Sequence, residues 1–169
     1  MRYQEQVLTI KIFTTGGTFD KIYFDAKSEF HIGDTIIGAL LEEANVDFDY
    51  EIESLLKKDS LEMDEIDRAL IRNAVGNVYN PQILITHGTD TMVETAQALL
   101  GIADKTIVLF GAMQPARMRY SDAMYNLGVA SAAVQLLPAG VYLAMNGKIF
   151  DPRKVTKNRA LNRFELTDS

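Results

Sequence analysis

This sequence predicts an α/β domain: a doubly wound, mostly parallel sheet with helices on both faces, in a single domain. Three observations lead there. Strand-like runs alternate along the chain with helix-patterned stretches. One of the runs, residues 82–85, is short and unbroken, the pattern of a strand buried in a parallel sheet. Three runs lead straight into turns containing glycine, at Gly16-Gly17, Gly88 and Gly111. A length of 169 residues suits one domain with its own core, and no repeat, low-complexity stretch or linker divides it.

The elements follow in order. Residues 7–13 are apolar and β-branched with partial alternation, a buried strand entering Thr14-Thr15-Gly16-Gly17-Thr18. Residues 19–25 mix aromatics and charges without a period and read as a loop or short hairpin folded back over that turn. Asp34 is the expected cap of a helix whose Ile36, Ile37, Leu40, Leu41 and Ala44 share one face. A strand over 47–55 alternates Phe48, Tyr50 and Ile52 with acids, and Lys57-Lys58-Asp59-Ser60 is a polar connection. The next helix starts near Asp64 and ends before Gly76. Pro81 opens the strand at 82–85, Thr86-His87-Gly88-Thr89-Asp90-Thr91 forms its turn, and a helix runs from Val93 to about Leu100. The strand at 106–110 enters Gly111-Ala112-Met113-Gln114-Pro115, followed by a long helix from Asp122 to Leu137. Strands at 141–145 and 148–150 meet across Asn146-Gly147, a strong two-residue hairpin signal. The remainder, 151–169, reads as loop.

Composition removes several functions. The net charge of −6 makes nucleic acid and anionic membrane poor partners. With no cysteine there is no disulfide, thiolate metal site or thiol nucleophile, and His31 and His87 alone make no metal site. The polar start, residues 1–6, shows neither signal peptide nor membrane span, so a cytoplasmic protein is expected. Thr15-Gly16-Gly17-Thr18 is not GxGxxG, and no glycine-rich loop with lysine matches a phosphate-binding loop, which weakens a nucleotide-binding reading.

In doubly wound sheets ligands bind outside the carboxyl ends of the strands, so the three glycine turns should cluster. Two of them are rich in hydroxyls, which suggests a nucleophilic threonine. Such a hydroxyl is barely ionised at neutral pH and needs a base or a positive field. Asp90 beside Thr89 can orient an ammonium, and Lys157 can supply the field or, once desolvated, the base. Backbone N–H groups after Gly88 can meet an oxyanion. Each residue also has a plainer role: Asp90 and Thr89 as a helix cap, His87 as a packed core residue, Lys157 as a solvated lysine, Tyr23 as loop packing, and residues 111–113 as backbone lining.

Taken in order, Thr15-Gly16-Gly17-Thr18, Asp59-Ser60 with Met63, Thr86-His87-Gly88-Thr89-Asp90-Thr91-Met92, Gly111-Ala112-Met113-Gln114-Pro115, and Asp151 with Val155-Thr156-Lys157 resemble the bacterial-type L-asparaginase/glutaminase family. The resemblance runs over nearly the whole chain and implies hydrolysis of L-asparagine, or a related amide, to L-aspartate and ammonia through an acyl-enzyme, without a cofactor. It implies Thr15 as nucleophile, Tyr23 as its assistant on a loop, and Thr89, Asp90 and Lys157 as a second cluster. Ser60 is then the holder of the substrate carboxylate, Asp90 meets the substrate ammonium, and backbone at Gly88 and Ala112 lines the pocket. Family members are longer, with a smaller C-terminal α/β domain, so residues 1–169 correspond to the N-terminal domain alone. An acid that a neighbouring subunit lends in the family then has no counterpart, and Leu61 stands where a polar residue is common. Two readings follow, an amidohydrolase or an amino-acid-binding sensor keeping the same pocket. Self-association into a homo-oligomer is expected, because a lone domain of a two-domain fold exposes apolar surface.

Overall fold

The computed structural model describes residues 8–24 and 29–167. The polar start, the first strand's beginning at Val7, Asp25 and the last two residues of the tail lie outside them. In chain order the elements are β1 (Ile10–Gly16), β2 (Lys21–Phe24), β3 (Glu29–Ile32), α1 (Ile37–Glu43), β4 (Tyr50–Lys58), α2 (Glu65–Asn77) and β5 (Gln82–Thr86). Then come α3 (Met92–Ala98), β6 (Thr106–Phe110), α4 (Ala123–Leu136), β7 (Gly140–Met145), β8 (Lys148–Phe150), β9 (Val155–Asn158) and β10 (Arg163–Leu166). Six strands form the central sheet in the order β4-β1-β5-β6-β7-β8, parallel throughout except for β8. β1 and β5, adjacent in the sheet though not in sequence, flank the reversal of strand order, where doubly wound sheets open a crevice at the carboxyl ends.

The alternation along β5 explains why both faces are covered. Ile83 and Ile85 point to one side and pack with Ile71 and Val75 of α2, Met92 of α3 and Leu99 just beyond it. Leu84 points to the other and packs with Ile37 and Leu41 of α1 and Leu127 and Ala130 of α4. All are essentially buried, and each large apolar side chain contributes about 1.5–3 kcal/mol on transfer from water. The doubly wound expectation therefore holds, as does the hairpin at Asn146-Gly147: both residues have positive φ, 54° and 71°, as a type I′ turn requires.

Four local readings change. Asp34 does not cap α1; it pairs with Lys57, while Asp20 Oδ1 accepts from Ile36 N at 3.1 Å and Thr35 Oγ1 accepts from Ile37 N at 3.3 Å. The N-cap residue, Ile36, makes no side-chain cap; a carboxylate from the first turn holds its amide instead. β4 extends through Lys58 because it follows β1 to its end, with the register slipping between Thr14, opposite Ser54, and Gly16, opposite Lys58. α2 begins where expected, with a reciprocal Asp64–Asp67 capping box, but continues past Gly76 to Asn77. The tail is not loop: β9 and β10 form an antiparallel pair, each contributing one buried side chain, Val155 and Phe164. One apolar position per strand is too little alternation to register in the sequence. The 19–25 segment is a hairpin, β2 with β3, entered through a 3-10 turn at Thr18–Asp20. No helix among the described residues is long and apolar enough to cross a membrane.

Candidate active site

The three glycine turns meet at the carboxyl end of the sheet, and they meet backbone to backbone. A Cβ on Gly17 would lie 2.5 Å from the Gly88 Cα; one on Gly88 would lie 2.6 Å from Ser60 Cβ; one on Gly111 would lie 2.2 Å from the His87 carbonyl oxygen. Only glycine permits this stacking. Thr15 sits beside it near the end of β1, fully buried, its hydroxyl donating to the Thr86 carbonyl at 2.7 Å. That bond joins the first glycine turn to the start of the second.

Three residues beyond Thr86, Thr89 Oγ1 accepts from Lys157 Nζ at 2.7 Å, and the same nitrogen reaches Asp90 Oδ1 at 2.9 Å. The Lys157 side chain is 12% exposed, so this is not a solvated lysine. Nor do Thr89 and Asp90 cap α3, whose N-cap residue is Thr91 and makes no side-chain cap. Thr91 Oγ1 instead donates to the Ser60 carbonyl at 2.7 Å, fixing the 3-10 turn Ser60–Glu62 against the second glycine turn. Ser60 is buried; Leu61, next to it, is exposed.

The third turn is held by residues that local patterning does not single out. Asp122 accepts from the N–H groups of Met113 (2.9 Å) and Gln114 (3.0 Å) and from Asn126 Nδ2 (2.9 Å). Asn126 also donates to the Gly111 carbonyl at 2.9 Å. Ala112 is thereby fixed as buried lining. On the open side, Lys21 Nζ of β2 lies 3.2 Å from Asp59 Oδ2, tying the hairpin to the Ser60 turn. Burial raises the Asp59 pKa, but the Leu61 amide, Lys21 and the field of Lys157 outweigh it and hold the carboxyl below its ordinary value. Tyr23, on that hairpin, is 50% exposed and leans on Phe30 with ring centroids 5.3 Å apart. Among the described residues it makes no hydrogen bond to Thr15, Thr89 or Lys157.

His87 is a core residue, as its plainer reading has it. It is fully buried, its Nδ1 lies 2.7 Å from the Gly88 carbonyl, and Nε2 has no partner. The contact fits a neutral ring donating from Nδ1. Burial lowers its pKa to about 4, against the pull of the Gly88 carbonyl. Between the unfolded value near 6.5 and about 4 the unfolded chain binds a proton that the folded chain refuses. The stability from a neutral His87 is therefore complete above about pH 6.5 and falls by roughly 1.4 kcal/mol per pH unit as pH drops toward 4. Urea midpoints at about pH 7 and pH 5 should differ accordingly, and less so in His87→Gln. An imidazole NMR signal of folded His87 that titrates within that interval would refute this.

With the geometry in place, comparison with known proteins decides the family. The family model described as "Asparaginase, N-terminal" matches residues 9–167. The chain belongs to the asparaginase family. It is 35% identical to the Haemophilus influenzae protein named "Probable L-asparaginase periplasmic", covering 88% of this chain and 46% of that one. L-asparaginase I of Vibrio cholerae superposes with a TM-score of 0.81 at 26% identity. A probable cytoplasmic L-asparaginase of Campylobacter jejuni gives 0.77 at 29%. Each of these structures matches 94% of this chain and 51% of its own length. The chain thus spans about half the length of the asparaginases it matches.

Within this asparaginase-family domain, Thr15, Ser60, Gly88, Thr89, Asp90, Ala112 and Lys157 occupy one end of the sheet and are linked through the 86–91 segment. Tyr23 stands at its rim. Sequence reading passed over Asn126, Lys21 and Arg159, and took Asp122 only as a helix start. Arg159 Nε lies 3.5 Å from Asp90 Oδ1. The repeated glycines pointed to the turns; nothing local pointed to the side chains that brace them.

Proposed function

We propose that this chain is an asparaginase-like amidohydrolase that converts L-asparagine, or a related primary amide, to L-aspartate and ammonia through an acyl-threonine. The carrying observation is the Lys157–Thr89–Asp90 cluster, held on the same glycine-stacked turns that receive the Thr15 hydroxyl. Thr15 Oγ attacks the side-chain carbonyl carbon while its proton passes toward Thr89 and Lys157 or toward Tyr23. Collapse of the tetrahedral intermediate breaks the C–N bond, and the nitrogen leaves with that proton as ammonia. Water then adds to the ester, returning the proton to Thr15 and freeing the acid. Ser60 holds the substrate carboxylate, Asp90 the ammonium, and N–H groups after Gly88 meet the oxyanion. Ammonia release from L-asparagine, wild type against Thr15→Ala, is the test; equal rates on every amide tried would sink the reading.

One observation favours the alternative of a binding module. Thr15 is fully buried and its hydrogen already serves Thr86. Calorimetry with L-aspartate and L-asparagine separates the two, since a sensor binds without consuming its ligand. We place the activity in the cytoplasm, the location in the name of the Campylobacter jejuni neighbour, and residues 9–167 as the N-terminal unit of the family's architecture. Self-association belongs to the same proposal: Tyr120, Tyr125 and Leu161 are exposed, and Tyr120 borders a shallow depression with Met113 and Asn162. Sedimentation at micromolar concentration should show a species larger than the monomer; a single monomer boundary would count against it.

A further inference from the structure

We infer that Arg159 sets which amides the site accepts: by sharing the Asp90 carboxylate it weakens the hold on a substrate ammonium, so the site selects primary amides by their carboxylate. This rests on the amidohydrolase reading above and narrows its substrate class.

The argument starts from one oxygen. Asp90 Oδ1 is met by Lys157 Nζ at 2.9 Å and by Arg159 Nε at 3.5 Å. Lys157 is inside, bound also to Thr89; Arg159 is 66% exposed and comes from the turn after β9. The two cations approach Asp90 beside a depression of about 260 Å³ that Glu94 also borders. An ammonium arriving at Asp90 therefore finds a carboxylate already compensated twice, and a guanidinium that repels it. The neighbouring turn offers no relief. Ser60 is buried and suited to a carboxylate, whereas Leu61 presents an exposed apolar side chain with no acceptor for an N–H. Asp59, the other nearby acid, is engaged by Lys21 and by the Leu61 amide. Asp90 and Asp59 are thus both paired before substrate arrives. A carboxylate-bearing amide without an α-amine loses little here, and a substrate that relies on its ammonium loses more.

Arg159 is exposed and outside the core, so its replacement leaves the fold intact. The experiment compares L-asparagine with succinamate, the same amide lacking the amine, by ammonia release. In parallel, calorimetry compares L-aspartate with succinate. Wild type, Arg159→Ala and Arg159→Lys are measured. In Arg159→Ala the ratio of kcat/KM for L-asparagine over succinamate should rise about fivefold, the scale of a partly exposed ion pair. The change should lie in KM, with kcat little altered, and Arg159→Lys should keep the wild-type ratio. The aspartate-to-succinate affinity ratio should move the same way. An unchanged ratio in Arg159→Ala in both assays overturns the inference. If neither amide is hydrolysed, the amidohydrolase reading fails, and the affinity ratio still decides the role of Arg159.

Discussion

Replacing Thr15 by alanine should lower ammonia release by at least about 10⁴-fold, the scale on which removal of a nucleophile is felt in hydrolases that form acyl intermediates. The fold should survive. Thr15 contributes one hydrogen bond, to the Thr86 carbonyl, worth about 1 kcal/mol net. Its side chain is small and lies at the end of β1, outside the apolar clusters formed by Phe13 and Ile12. The variant should therefore bind L-aspartate as the wild type does while turning nothing over. Thr15→Ser, which keeps the oxygen, should recover part of the rate. Activity in Thr15→Ala within tenfold of wild type would remove this residue from the chemistry.

The second large effect is expected at Gly17. Its backbone lies at φ 77° and ψ −172°, a region essentially reserved for glycine. A methyl group there would also sit 2.5 Å from the Gly88 Cα, which belongs to rigid backbone. Strain and overlap together should destabilise Gly17→Ala by more than about 3 kcal/mol and push the 86–91 segment away from the first turn. Because Thr89 and Asp90 ride on that segment, substrate affinity and turnover should both fall in whatever fraction folds. Gly76→Ala offers the contrast, since nothing lies within 4 Å of the added methyl and its φ is not positive. It should match or slightly exceed wild-type stability, because alanine favours a helix interior. Thermal melts of the two variants side by side check this; equal midpoints would mean that the stacking of turns carries no weight.

Much of the architecture could be read from the chain because its signals are local. Thr106–Phe110 is apolar after its first residue and is a central strand throughout. Asn146-Gly147 dictated its hairpin, and Asp64 marked the start of α2. Where reading failed, the deciding partner was far away. Asp34 looked like the cap of α1, but it pairs with Lys57, and the amide of Ile36 ahead of the helix is held by Asp20, fourteen residues before Asp34 in the chain. The tail looked irregular because Lys157 and Asn158 are polar strand residues whose pairing with Arg163 and Phe164 only the assembled sheet edge supports. The candidate site divides the same way. Thr15, Thr89 and Asp90 announce themselves through the glycines around them, whereas Arg159 and Asn126 matter only through contacts the fold creates.

The attachment of that tail bears on how the protein comes apart. β9 and β10 are not hydrogen-bonded into the six-stranded sheet; they attach to it through the buried Val155 and Phe164, through the Phe164 amide, which donates to Asn146 at 2.8 Å, and through the bonds of Lys157 to Thr89 and Asp90. So light a tether allows sub-global opening well below the free energy of whole-domain unfolding. The amine nearest Thr89 then departs while every parallel strand keeps its protection against hydrogen exchange. On warming, ammonia release should fade first, and the sheet should outlast it.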